Sequence, residues 1–207
     1  MKEILVVKKE IIFKDEDFQG FIPIEKKDFT DLILKNFEYR ERNNELENNA
    51  SFKQIIPYVI IINPETKKVF GYKRFKLQSG IHETRLHNRF SFGIGGHIDK
   101  GDDETNIINA GMIRELKEEV KMDNYPLPKI VGFVNDDLNQ VGSVHFGVIA
   151  LALTEEKVEK MEDEEVKEER FYSVEEINEL INSKEQESDP WTRICWPFIK
   201  SYLENLN

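Results

Sequence analysis

Glu115, Glu118 and Glu119 stand at i, i+3 and i+4 in the segment Arg114-Glu115-Leu116-Lys117-Glu118-Glu119. On a helix that advances about 100° per residue, those three carboxylates share one face. Like charges so placed repel one another unless a cation sits among them. Met112, Ile113, Leu116 and Val120 fall on a different face that would bury against a sheet, while Lys117 and Lys121 turn to solvent. Magnesium is a hard ion that takes oxygen ligands and keeps several waters, so a few carboxylates at fixed spacing suit it. Gly95 and Gly96 precede this segment, and without side chains their backbone can approach a metal ion or a phosphate closely. Gly111, one turn before Glu115, leaves room for the same loop to pack. The competing reading is a solvated acidic face, common in a chain with 33% charged residues. The Gly-Gly turn after an apolar run favours the metal-binding reading.

The stretch from Gly96 to Met122 resembles the signature of the Nudix hydrolases. In that family a glycine and a glutamate precede the run R-E-hydrophobic-x-E-E-x-G-hydrophobic. Gly96, Arg114, Glu115, Leu116, Glu118, Glu119 and Met122 stand at the matching positions. The chain departs from the pattern at three points. Asp102 takes the place of the glutamate, eleven residues instead of seven separate it from Arg114, and Lys121 replaces the second glycine. Either Asp102 or Glu104 is then the acid that pairs with Arg114.

The resemblance implies a magnesium-dependent hydrolase, with manganese as the alternative ion. Its reaction would be cleavage of a pyrophosphate linkage in a nucleoside diphosphate joined to another moiety. The metal ligands would be Glu115, Glu118, Glu119 and the Gly96 carbonyl. Glu118, or an acid within 164–168 such as Glu165, would accept the proton of the attacking water. Arg114 would orient Glu115 or brace the loop. The partner is a small nucleotide-type molecule, and dimers are frequent in the family, so a homodimer is an expectation. Fold and boundaries follow the same resemblance: an α/β/α sandwich around a mixed sheet, in one domain. Its core would span 54–182, with a strand–helix extension over 1–50 and an added helix over 189–206. Pattern alone says only α/β or α+β.

Arg85 and Arg89, with His87, Lys73 and Arg74 nearby, are candidates to clamp a diphosphate, because guanidinium donors match phosphate oxygens in pairs. Their alternative is ordinary surface charge. His97 follows the glycines directly and either touches a phosphate or packs locally. His145, in an apolar strand, and Cys195, beside Trp196, read as core residues.

Bulk properties narrow the classes. A charge of −11 over 207 residues argues against nucleic acid and membrane surfaces as partners. The single cysteine excludes an intramolecular disulfide and suits a reducing cytoplasm. The start MKEILVVKKEIIF is too broken by charge for a secretion signal. Two rival functions stand beside hydrolysis: a nucleotide-binding regulatory module without turnover, and an enzyme like isopentenyl-diphosphate isomerase, which needs a cysteine near its active site.

Around the motif, 4–13 reads as one strand or a strand pair, and 28–42 as an amphipathic helix. Residues 54–62 suit a buried strand, and 68–75 return from it after the turn signal Asn63-Pro64-Glu65-Thr66. A short strand over 89–94 delivers the glycines. Strands at 129–135, 143–153 and 165–172 precede a helix from 174 to 181 capped by Ser173, and a last helix with Pro190 in its first turn.

Overall fold

The structure is a computed structural model and describes residues 2–74, 89–102, 104–160, 166–183 and 187–206. In chain order the elements begin with β1 (Glu3–Lys8), α1 (Lys9–Ile12), β2 (Gly20–Pro23), α2 (Thr30–Asn36) and β3 (Glu38–Glu41). There follow β4 (Phe52–Asn63), β5 (Lys68–Arg74), β6 (Arg89–Ser91), β7 (Gly93–Gly95), α3 (Ile107–Glu119), β8 (Val120–Lys121) and β9 (Lys129–Asn135). The remainder is α4 (Gln140–Val144), β10 (His145–Leu153), β11 (Glu159–Lys160), β12 (Val166–Tyr172), α5 (Val174–Asn182), β13 (Glu187–Ser188) and α6 (Pro190–Glu204). Among the described residues no helix is long and apolar enough to cross a membrane.

The chain divides into two compact units, and the division falls within β4, β10 and α3. The first unit comprises Met1–Val59, Gly95–Glu115 and Leu127–Ala150. Here β1 lies antiparallel between β3 and β4, with Val6 opposite both Glu38 and Gln54. Strand order continues β4-β10-β9-β2, and β2 pairs antiparallel with β9 from Gly20 opposite Asn135 to Pro23 opposite Gly132. Ile4, Leu5, Val6 and Val7 of β1 are completely buried, which a strand achieves only when both of its faces are covered. Phe29 meets Phe133 and Phe146 edge to face, its ring centred 5.2 Å from Phe133 and 5.3 Å from Phe146. That geometry suits the ring quadrupoles and adds to the burial of the rings themselves.

The second unit comprises Ile60–Ile94, Leu116–Pro126 and Leu151–Asn207. β5 carries β12 on one ladder, while β4 and β6 pair with its start and end. β13 runs parallel to β6, so the strand set is mixed. A register shift between Lys167 and Arg170 marks a bulge in β12, and Glu168 there has φ of 52°. Phe90 packs edge-on against Tyr172 at 5.1 Å. Ser173 closes a capping box with Glu176 at the start of α5, and Asp189 caps α6 ahead of Pro190.

Three stretches differ from the sequence expectation. The β-branched run from residue 4 stops at Lys8, because Lys9–Ile12 coil into a helical turn whose Lys9 N–H donates to the Ser51 carbonyl at 2.8 Å. The helix expected over 28–42 covers only Thr30–Asn36, and Glu38–Glu41 instead pair with β1. A ladder partner overrides the weak helical preference of Phe37 and Tyr39. The motif helix ends at Glu119, because Val120 and Lys121 pair antiparallel with Lys160 and Glu159.

Candidate active site

Strand β7 delivers the chain to two glycines that the packing requires. A Cβ on Gly95 would overlap the Pro57 carbonyl oxygen, and one on Gly96 would lie 2.6 Å from the carboxyl group of Glu115. The backbone at Gly96 therefore forms a cradle that the Glu115 carboxylate fills. Glu115 is buried, whereas Glu118 is exposed and Glu119 half-buried. All three stand on one uninterrupted helix, α3, so i, i+3 and i+4 geometry gives them a common face.

In the first unit Arg114 ties the loop after Gly96 to this helix. Its Nη1 donates to Glu115 Oε1 at 2.8 Å, its Nε to Asp102 Oδ1 at 3.0 Å, and its Nη2 to the His97 carbonyl at 2.6 Å. Asp99 lies 3.5 Å from the same Nη2. Burial works against the guanidinium charge, yet the bond to Asp102 and the charge of Glu115 hold its pKa above the ordinary value. Asp102 is thus an acid that meets Arg114, and its other oxygen accepts from the Asp99 N–H at 3.1 Å; the side chain of Glu104 lies outside the described residues.

His97 turns to protein groups. Its Nε2 bonds Gln54 Oε1 at 2.7 Å and lies 3.4 Å from Nε2 of His145, whose Nδ1 donates to the Val141 carbonyl at 2.6 Å. Burial, helped by the positive charge of Arg42, pushes His97 well below the usual histidine range, so the ring is neutral at pH 7.

In the second unit Lys160 of β11 forms an ion pair with Oε2 of Glu119. Its side chain is only 5% exposed, and its ammonium sits 4.7 Å from the centre of the Tyr72 ring. Among the described residues no three His, Cys, Asp or Glu side chains gather closely enough to hold a metal ion. Glu115 and Glu119 each meet a cation of the protein, Arg114 and Lys160 respectively. The donor set nevertheless suits a hard divalent ion: carboxylate oxygens on one helix face, beside a backbone that only glycine allows so close.

The other candidates fall elsewhere. Arg89 donates to Glu187 at 2.9 Å, and Lys73 pairs with Glu168 at 2.6 Å. Arg85, His87, Glu164 and Glu165 lie outside the described residues. Cys195 is wholly enclosed, and burial holds its thiol well above the ordinary value. No thiolate is available there for isomerase chemistry. Lys160 was overlooked in the sequence, because it sits in an acidic stretch that reads as solvated. The available signal is strand alternation, which sets Lys160 on the opposite face from Glu159.

The family model described as NUDIX domain matches residues 53–193. Protein YmaB of Bacillus subtilis (strain 168) is 36% identical over 155 residues, covering 71% of this chain and 73% of YmaB. The crystal structure of Tm1382, described as "a putative Nudix hydrolase", matches with a TM-score of 0.78 and 28% identity over 97% of this chain and 99% of that one. A bifunctional NMN adenylyltransferase/ADP ribose pyrophosphatase from Francisella tularensis, complexed with AMP and Mn ion, shares the fold at a TM-score of 0.51 and 12% identity. That match covers 73% of this chain and 42% of the Francisella chain. Nudix hydrolases act on pyrophosphate linkages in small nucleotide-type molecules and generally use divalent cations. With the motif helix, its arginine anchor and these matches together, the chain belongs to the Nudix hydrolases and is a pyrophosphohydrolase.

Proposed function

We propose that residues 1–207 form one Nudix domain that hydrolyses a nucleoside diphosphate linked to another moiety, in a magnesium-dependent reaction. The observation that carries this reading is the Glu115 carboxyl group seated in the Gly96 cradle, on the helix face that also holds Glu118 and Glu119. Glu115, Glu118, Glu119 and the Gly96 carbonyl would hold the divalent ion. When bound there, such an ion supplies Lewis acidity toward phosphoryl oxygens and a water of lowered pKa. Glu118, exposed on that face, accepts the proton of the attacking water. The water oxygen bonds to phosphorus, the bridging P–O bond breaks, and the bridging oxygen leaves with the second phosphoryl group. Arg114 acts as a positioning residue, because its three hydrogen bonds fix Glu115 and the loop 97–102 in one arrangement. An acid within 164–168 stays a second candidate base. Arg89 would reach a phosphate only by releasing Glu187.

A panel of nucleoside diphosphate derivatives tests the reading, with ADP-ribose included because the Francisella neighbour is named an ADP ribose pyrophosphatase. The expected outcome is conversion of at least one compound into a nucleoside monophosphate and a second phosphorylated product, identified by chromatography. Tight binding across the panel without any product would instead assign a regulatory binding module.

A further inference from the structure

Two lysines close in sequence, Lys157 and Lys160, have opposite fates. Lys157 is 82% exposed and pairs with Glu159 at the surface, whereas the side chain of Lys160 is 5% exposed. Lys157 precedes β11, whereas Lys160 lies in it, where alternation turns it to the face opposite Glu159. Pairing with β8 holds Lys160 opposite Val120, the residue directly after Glu119. Its main-chain N–H donates to Glu169 at 2.9 Å, which further fixes the strand position.

An ammonium is strongly hydrated, and burying it without a partner anion is costly. In this structure the anion is Glu119, with the face of Tyr72 as a second, weaker attraction. The Tyr72 hydroxyl is directed elsewhere, donating to the Gly93 carbonyl at 2.8 Å, so the ring face is what Lys160 meets. Glu119 is also one of the carboxylates assigned above to the divalent ion. One carboxylate cannot serve both cations fully, because the two positive charges repel. Once Glu119 turns to a divalent ion, the buried ammonium needs a new anion, and the anion that arrives with that ion is the substrate's pyrophosphate.

We propose that Lys160 is a substrate-binding residue, seated on Glu119 in this structure and transferred to a phosphoryl oxygen of the substrate when Glu119 takes up a divalent cation. The assignment rests on the reading of the α3 carboxylates as the metal site. It makes two opposite predictions for one residue. Lys160 competes with the metal ion in the absence of substrate and assists the phosphates in its presence.

Calorimetric titration of wild type, Lys160→Met and Lys160→Gln tests this, first with MnCl2 alone and then with α,β-methylene-ADP in saturating MnCl2. Circular dichroism accompanies each variant, and the Gln variant retains a polar group should Met disturb packing. Both variants are expected to bind Mn²⁺ about tenfold more tightly than wild type, since no ammonium competes for Glu119. Both are expected to bind the nucleotide analogue about tenfold or more weakly, through loss of a charge-assisted hydrogen bond. A merely structural ion pair predicts that both affinities stay unchanged or fall together, and either result overturns the assignment. If wild type binds both ligands and the variants match it, the Lys160 assignment alone falls. If wild type binds neither, the metal-site reading falls and carries the Lys160 assignment with it.

Discussion

Arg114 donates to Glu115, Asp102 and the His97 carbonyl, three acceptors in different directions. Only a planar guanidinium spans such a set, because lysine offers a compact point charge on a single stem. Arg114→Lys should therefore behave much like a loss of the residue, with a destabilisation of about 2–3 kcal/mol and lowered turnover. Urea denaturation and initial-rate measurements on the same preparation check both effects. Stability within about 0.5 kcal/mol of wild type would remove Arg114 from its role as the brace of the loop. At this scale the motif was legible where its logic is local. The spacing of Glu115, Glu118 and Glu119 and the glycine pair stand within one continuous stretch. The partner of Glu119 was not legible, because Lys160 lies 41 residues away and reaches it only through the β8–β11 ladder. The contact of Asp102 with Arg114 was not legible either, because it depends on loop geometry that spacing does not set.

Elements were readable where hydrophobic period and length agreed. The long apolar run became β4, and Ser173 and Pro190 open the helices they were expected to open. The segment 28–42 misled because helical spacing of Phe29, Leu32 and Ile33 says nothing about an open strand edge nearby, and β1 captures Glu38–Glu41. A second element-scale feature is invisible to periodicity altogether. Lys53, fully enclosed on β4, donates to Asp137 at 2.5 Å and to the Gly142 carbonyl at 3.0 Å, and Lys9 reaches the other Asp137 oxygen at 2.6 Å. Burial pushes the Lys53 ammonium below its usual range, and Asp137 restores it only in part. Burial alone would raise the Asp137 carboxyl, but two ammonium donors hold it below the ordinary carboxylate value.

A carboxyl with a depressed folded-state pKa stabilises the fold above its unfolded value, near 3.9, and loses that contribution as pH falls through the folded value. Asp137→Asn leaves Lys53 buried beside a neutral group and should cost about 3 kcal/mol at pH 7. Unfolding free energies of wild type and Asp137→Asn from urea titration should begin to converge as pH falls below about 4 and continue to do so as it passes the lowered Asp137 value. A gap that stays constant over that range would show that the carboxylate charge does not hold β4 to the loop after β9.

For the molecule as a whole, an acidic chain of net charge −11 that cleaves an anionic pyrophosphate needs positive charge at the site. Arg114 is already committed to the loop; in the proposed reading divalent ions supply most of that charge, with Lys160 as an addition. Likeness to Tm1382 over 97% of this chain extends beyond the matched residues 53–193. The segment before them is therefore shared architecture, and its β1 belongs to the core of the first unit. The central claim is that the α3 carboxylates hold the ion that makes hydrolysis possible. Its most direct test is the initial rate on the best substrate of the panel, measured across a MgCl2 series and in EDTA, for wild type and Glu118→Gln. Wild-type turnover should rise with Mg²⁺ and vanish in EDTA. The exposed Glu118→Gln change should leave the circular dichroism spectrum unaltered while slowing saturated turnover by roughly 100-fold or more. Wild-type rates from Glu118→Gln, or full wild-type turnover in EDTA, would contradict the account.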